Sequence, residues 1–270
     1  MCPDDIAFGL QLCRLAGWNQ LAEDWRVFLG SSNCGGLVAR RRGTVAFLRY
    51  GGFSWLSMML VDPDARRSGI GTSLIEAALD ALSAEPCVRL DATPAGQPLY
   101  RKFGFAGEYE LVRATIAIAE GSATISGDVR PMQAEDLPTV FARDRQVFGG
   151  DRSELLNSFY YRAPKFARIV RHAGSVIGYS FGRTGYLYPQ LGPLVANNAG
   201  VARDIVTACL ADQPGQTVAM DVPLPDSNWI AWLESLGFHL QRPFLRMYRG
   251  TPPPLTDSAS HFAIAGPEFG

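Results

Sequence analysis

The chain has 270 residues, 47% of them hydrophobic, and a formal net charge of −1 at pH 7. This length and apolar content suffice for two modest cores, and the near-neutral charge argues against nucleic-acid and membrane partners. The cysteines and histidines show no metal-ligand spacing, and without a signal peptide or a bilayer-spanning run we expect a cytoplasmic protein with no bound metal.

The first informative block joins a strand to a helix. The apolar run 55–61 predicts a strand, and the apolar spacing over 74–82 predicts a helix. Between them, residues 61–72 read Val-Asp-Pro-Asp-Ala-Arg-Arg-Ser-Gly-Ile-Gly-Thr. The first amides of a helix have no intrahelical partners and lie at the positive end of its dipole. Because glycines allow close approach and Arg66 and Arg67 add cationic donors, this turn predicts a diphosphate-binding site.

The spacing of this turn distinguishes it from other nucleotide-binding motifs. It matches neither Gly-x-Gly-x-x-Gly nor the Walker loop. Arg66-x-x-Gly69-x-Gly71 resembles instead the acetyl-CoA-binding motif of the GCN5-related N-acetyltransferases (GNATs), Gln/Arg-x-x-Gly-x-Gly/Ala after the fourth strand. An ordinary glycine-rich turn between a strand and a helix is the alternative.

A second block follows downstream. The run 87–90 predicts a buried strand, and a short helix is predicted between Pro98 and Gly104. Its end, Leu-Tyr-Arg-Lys-Phe-Gly-Phe over 99–105, is similar to the GNAT block Tyr-x-Lys-x-Gly-Phe. In that family the tyrosine lies near the coenzyme A sulfur and can protonate the leaving thiolate, which implies this role for Tyr100. The alternative is an amphipathic residue with its ring in the core and its hydroxyl at the rim.

The sequence of residues 90–100, Leu-Asp-Ala-Thr-Pro-Ala-Gly-Gln-Pro-Leu-Tyr, resembles that of a bacterial GNAT subgroup whose members carry a second, YitH-like acetyltransferase domain. This implies an α/β (α+β) fold of two tandem GNAT-like domains, each a mixed, largely antiparallel twisted sheet flanked by helices. We predict an acetyl-CoA-binding domain at 1–124, a degenerate GNAT-like domain at 125–250 and a tail at 251–270.

An internal repeat supports two domains. Residues 87–91 correspond to 217–221, and residues 99–105 correspond to 232–238. The join is expected in the Gly/Ser/Thr stretch at 121–127.

The two copies are not equivalent. The second copy lacks the Arg-x-x-Gly-x-Gly spacing, and Leu233 stands where the first copy has Tyr100. We therefore expect one cofactor site per chain. The first copy lacks the strand that the second copy is predicted to have at 127–130. Either this sheet lacks an edge strand or another segment covers the edge; the tail at 260–265 is a candidate to pack there or toward the cleft, and a loosely packed tail is the alternative.

The resemblance also implies site residues. Strand four of the family carries a bulge that separates it from strand five and admits pantetheine. Backbone groups beside pantetheine and the thioester oxygen, and donors around the diphosphate, would come from Met59, Leu60, Val61, Arg66, Arg67, Ser68, Gly69, Ile70, Gly71 and Thr72. Tyr100 would contact the cofactor and act as the general acid.

The general base is less well defined by the sequence. Many GNATs place a glutamate on strand four, but residues 53–60 contain no acid. Asp91, and its counterpart Asp221, could accept the proton directly or through water. Capping of the following turn is an equal alternative for each.

Together these features predict an enzyme, an acetyl-CoA-dependent N-acetyltransferase that moves an acetyl group directly onto the primary amine of a small molecule. Acetyl-CoA would be the co-substrate, and coenzyme A would be released as a product. O-acetylation, a longer acyl donor and a homodimer stay open. The alternative function is a non-catalytic acyl-CoA-binding sensor.

Overall fold

The computed structural model describes residues 1–30, 33–119, 128–224, 226–252 and 260–270. The helices and strands of the first half follow in the order α1 (Ile6–Leu15), α2 (Ala22–Val27), β1 (Cys34–Ala39), β2 (Gly43–Arg49), β3 (Ser54–Val61), α3 (Ile70–Ala81), β4 (Cys87–Ala92), α4 (Gln97–Lys102) and β5 (Ala106–Ala117).

The second half repeats this order with one additional strand at its start and another at its end. Its elements are β6 (Arg130–Pro131), α5 (Leu137–Phe148), α6 (Ser153–Arg162), β7 (Arg168–His172), β8 (Ser175–Arg183), β9 (Gln190–Ala196), α7 (Ala199–Ala211), β10 (Thr217–Pro223), α8 (Ser227–Ser235), β11 (His239–Gly250) and β12 (His261–Ala263). The predicted α/β class with two tandem GNAT-like units is confirmed. The predicted join at 121–127 and the boundary after residue 124 lie outside the described residues.

The two halves share one sheet, because each contributes its last strand to the other. Across the described chain the strand order is β1-β2-β3-β4-β11-β5-β10-β9-β8-β7-β6, with β12 beside β9. Strand β11 of the second half pairs with both β4 and β5, and β5 of the first half pairs with β10. The sheets expected for separate domains are therefore joined, and backbone hydrogen bonds hold the halves together.

Amphipathic helices cover both faces of this sheet. In α3 the buried residues recur at helical spacing, so one apolar stripe faces the strands: Leu74, Ile75, Ala78 and Leu79. Helices α3 and α4 enclose one core on this face. On the opposite face, α1, α2, α5 and α6 share a core with residues 265 and 269 of the tail. This second core spans both halves, so the tail is part of the packed interior.

Within its described residues, the first half has no counterpart of β6. Among the described strands, β1 is outermost there, and the amino group of Met1 donates to the carbonyl oxygen of Gly36 on β1 at 2.7 Å. The strand predicted at 127–130 is shifted, since β6 spans Arg130–Pro131 and residue 127 lies outside the described part.

The tail, residues 260–270, does not cover this edge and is not loosely packed. Strand β12 pairs with β9, and the amide of Ile264 donates to the carbonyl oxygen of Asp221 on β10 at 2.9 Å. Further along, the carbonyl oxygen of Pro267 accepts from Nε1 of Trp55 on β3 at 2.9 Å. The tail thus runs from the second half to the first. None of the helices described is long and apolar enough to cross a membrane.

Candidate active site

Strands β3 and β4 separate after a short paired stretch. They pair only at Ser54–Val88 and Trp55–Arg89 within the described strands. Just beyond, the register between β2 and β3 shifts, and Met58 adopts a left-handed backbone with φ of 50°. The hydroxyl of Thr44 donates to the Met58 carbonyl oxygen at 2.9 Å. This bulge opens a slot between the two strands, as the family resemblance implied.

The turn from β3 into α3 leaves a row of amides unpaired. Gly69 precedes the helix with φ of 86°, and the first bond into the helix runs from the Ser73 amide to the Gly69 carbonyl oxygen at 3.0 Å. The amides of residues 67–72 donate to no other group in the described chain. The side chains of Arg66, Arg67 and Ser68 are exposed around them. Unpaired amides, a helix dipole and nearby cations fit a diphosphate.

Tyr100 lies on α4, beside this turn. Leu99 of the same helix and Met59 of the slot both lie within van der Waals distance of a Cβ built on Gly71 in α3. The Tyr100 side chain is buried, with its ring edge-on to Phe105 at a centroid distance of 5.8 Å. Burial raises the pKa of the Tyr100 phenol well above its usual value. The Tyr100 hydroxyl therefore stays protonated at and above neutral pH.

The equivalent slot in the second half is filled by the tail. Strands β9 and β10 pair at a single described position, Ala219–Gln190, and β12 runs beside β9. A Cβ built on Gly192 of β9 would lie 2.0 Å from the carbonyl oxygen of Ile264. At the start of α7, Oδ1 of Asn198 accepts from the Val201 amide at 3.0 Å. Slot and helix start are therefore both occupied by the chain itself.

Comparison with known families matches both halves. Two family models, each described as an acetyltransferase (GNAT) domain, match residues 23–106 and 140–263. The chain is a tandem member of the GNAT superfamily. The first match contains the slot, the unpaired amides and Tyr100, and the second contains the tail-filled slot. The protein thus belongs to a superfamily of acyl-CoA-dependent acyltransferases.

Individual relatives support this assignment over most of the chain. The chain is 26% identical over 239 residues to the uncharacterized N-acetyltransferase YitH of Bacillus subtilis (strain 168), covering 85% of this chain and 83% of YitH. It is 28% identical over 202 residues to a holothin acyltransferase of Pseudoalteromonas sp. (strain SANK 73390), covering 74% and 68%. A crystal structure of a putative acetyltransferase from Pyrococcus horikoshii shares the fold, with a TM-score of 0.81, 20% identity, and coverage of 100% of this chain and 94% of that one.

Asp91 of this tandem GNAT is engaged in an ion pair. Its two carboxylate oxygens accept from Nε and Nη2 of Arg246 on β11, each at 2.9 Å. Burial raises the pKa of the Asp91 carboxyl, and the charge of Arg246 opposes this rise. Asp221 is paired in the same way, with Arg113 at 2.8 and 2.7 Å. Neither carboxylate caps a turn. Because both oxygens of Asp91 are bound by Arg246, we expect this carboxylate to fix β11 beside β4 rather than to act as the general base.

We expect Asp91→Asn to act on stability rather than on proton transfer. Removal of the charge leaves the buried Arg246 guanidinium uncompensated, which lowers the free energy of unfolding by about 3–5 kcal/mol. The pH dependence of kcat/KM in the remaining folded enzyme should be unchanged. Denaturant titration and pH–rate profiles measure both, with Asp80→Asn on the exposed face of α3 as the control. A stable variant that loses the acidic limb of its pH profile would restore Asp91 as the base.

The face opposite α3 carries polar groups that the sequence did not indicate. The Arg246 guanidinium lies 4.6 Å from the centre of the Trp55 ring and donates to the hydroxyl of Tyr109 on β5. Ser57, next to the bulge, has a buried hydroxyl without a described partner. These residues come from both halves and meet only because β11 lies between β4 and β5. In the described chain, no cluster of three or more His, Cys, Asp or Glu could hold a metal.

Proposed function

We propose that this tandem GNAT transfers an acetyl group from acetyl-CoA directly to the primary amine of a small molecule in the cytoplasm. One cofactor site per chain lies in the first domain. The observation that carries the proposal is the row of unpaired amides at 67–72 at the mouth of the β3–β4 slot. The second domain differs in both respects: its slot holds the tail, and Asn198 caps the start of its helix α7.

Each part of the first-domain site has a distinct task. The amides of 67–72, with Arg66 and Arg67, hold the diphosphate of acetyl-CoA, which supplies an activated acyl group when bound. Backbone groups of residues 59–61, on the stretch of β3 that does not pair with β4, would hydrogen-bond pantetheine, and one of their N–H groups would donate to the thioester oxygen. Such a donor lowers the barrier by about 3 kcal/mol. The Tyr100 hydroxyl donates a proton to the departing sulfur.

Direct transfer is favoured over an acylated enzyme because the buried thiols are poor nucleophiles. Burial raises the pKa of Cys13 to about 12 and that of Cys209 to about 11, and it raises the pKa of Cys87 on β4 as well. A thiol held protonated does not attack a thioester. This supports direct attack of the amine on the acetyl carbonyl carbon over acylation of these three buried thiols.

A non-catalytic acyl-CoA sensor is the second candidate. The observation that favours the sensor is the ion pair of Asp91 with Arg246. Asp91 is the one acidic residue on β3 and β4, so neither strand, over residues 54–61 and 87–92, offers an unpaired carboxylate as a general base. Tyr100, buried and protonated beside the slot, favours the enzyme.

Two measurements on the full chain test the proposal. Titration calorimetry with coenzyme A is expected to give one site per chain. Release of free thiol from acetyl-CoA is expected to depend on added amine across a panel of small amines. Binding without amine-dependent thiol release would support the sensor. No binding, or two equivalent sites, would contradict the proposed site.

A further inference from the structure

Strand β11 presents a row of side chains toward the tail. Phe244 packs against Leu111 on β5 and Ile264 of the tail. Arg246, two residues further, lies over Trp55. Arg242, two residues before Phe244, has its guanidinium 4.9 Å from the centre of the Phe244 ring. Since alternate residues of a strand face one side, all three side chains of β11 lie on the face of the sheet that carries the tail and the Trp55 side chain.

The arginines of this face differ in their partners. Arg246 is neutralised by Asp91, and Arg113 by Asp221. Arg242 has neither a hydrogen bond nor an ion pair within the described part of the chain, and its Nε is shielded from solvent without an acceptor. Burial and the neighbouring charge of Arg113 lower the pKa of Arg242, against weaker opposing effects of Asp221, Tyr188 and Glu268. Arg242 thus carries an uncompensated charge partly removed from water.

A half-buried guanidinium without an acceptor is unfavourable, and natural structures satisfy such donors. A carboxylate accepts two parallel hydrogen bonds from a guanidinium. One unpaired cation matches a single negative charge, whereas a phosphate monoester carries between about one and a half and two. We propose that Arg242 binds a carboxylate of the acceptor, so that the substrate is an amine that also carries a carboxylate. This inference rests on the proposed function.

The sheet register indicates how far that carboxylate lies from the reacting amine. Three residues beyond the last β3–β4 pair lie Met58 at the bulge and Ala92 at the end of β4, and Ala92 pairs with Leu245 of β11. From Leu245 to Arg242 the strand advances three residues, or about 10 Å. The amine and the carboxylate must therefore be separated by several bonds. This spacing favours ω-amino acids over α-amino acids.

The test uses ω-amino acids of increasing chain length, each beside its methyl ester, as acceptors for the full-length protein. The long acids are expected to exceed their esters in kcat/KM by at least about 10-fold, because each ester lacks the charge that Arg242 binds. In Arg242→Gln the acids should fall to the level of the esters, and the esters should be unchanged. Arg249→Gln, an exposed arginine at the end of the same strand, is the matched control and should behave as wild type.

Calorimetry supplies a readout that does not depend on turnover. The acids are titrated into the protein saturated with coenzyme A, and binding is expected for wild type and Arg249→Gln but not for Arg242→Gln. Equal binding to all three, or acids no better than esters while both are acetylated, would overturn the inference and leave the proposed function intact. Acid binding that Arg242 controls, without acetylation of any amine, would support the inference and contradict the proposed function.

Discussion

Replacement of Thr72 by aspartate is expected to weaken coenzyme A binding by about 100-fold or more without destabilising the protein. Thr72 is exposed in the first turn of α3, and its amide is among those without a partner in the described chain. A carboxylate there interacts favourably with the helix dipole, worth about 0.3–1 kcal/mol, so the melting temperature should stay the same or rise. The same carboxylate repels a diphosphate by about 3 kcal/mol per charge at roughly 5 Å in a partly screened site.

The opposite signs of these two effects make the prediction specific. Ala77→Asp introduces the same charge on the exposed side of the same helix, beyond its first turn, and should leave the dissociation constant within about twofold of wild type because the dipole effect is confined to the end of the helix. Calorimetry gives the affinities and thermal unfolding gives the stabilities. Tight coenzyme A binding by a stable Thr72→Asp variant would show that the diphosphate does not lie on these amides.

The parts of the site that could be predicted are local in the sequence. The unpaired amides, the start of α3 and the position of Tyr100 depend on contiguous residues, where glycine spacing and apolar periodicity determine the backbone. The strand Cys87–Ala92 and the helix Gln97–Lys102 lie where the sequence predicts them. The tandem GNAT fold is also predicted by the same two blocks and by the repeat.

The parts that could not be predicted depend on distant pairings. Asp91 and its partner Arg246 are 155 residues apart, and nothing in the pattern of β11 indicates that it pairs with the other half. A last strand can pair within its own domain or with the other domain. Either way it buries the same alternating side chains, so the periodicity of the sequence cannot distinguish the two arrangements. The tail was equally ambiguous, since its course depends on a space above Gly192 that only the folded sheet reveals.

The exchange of last strands gives the second domain a role in the first domain's site. Strand β11 brings Arg246 beside Asp91 of β4 and carries Arg242 on the same face beyond the end of β4, and the tail supplies a backbone partner for Trp55. In the second domain Asn198 caps the start of α7 and the tail fills the slot, but its strand β11 contributes this wall. Under the proposed function the degenerate copy forms part of the acceptor side, which would explain why a chain with one cofactor site keeps two GNAT units.

Replacement of Tyr100 by phenylalanine is expected to lower kcat by 10²–10⁴-fold, the usual contribution of a general acid, while coenzyme A affinity changes by less than about twofold. Phenylalanine keeps the packing against Phe105 and removes only the hydroxyl. Because burial raises the pKa of this phenol, wild-type activity should not fall as the pH rises toward about 10, the usual pKa of tyrosine. Steady-state kinetics over this range and calorimetry measure both effects.

A remote tyrosine separates the loss of a proton donor from a general effect of removing a hydroxyl. Tyr186 is 57% exposed and contacts the Arg14 guanidinium, so Tyr186→Phe should keep wild-type kcat and affinity. If Tyr100→Phe also kept its kcat, Tyr100 would be a core residue and the leaving sulfur would take its proton from water. If it instead lost coenzyme A binding in proportion to activity, the hydroxyl would be a binding group. Only a loss confined to kcat assigns the proton to Tyr100, because a donor used in the transition state lowers the barrier without tightening the ground state.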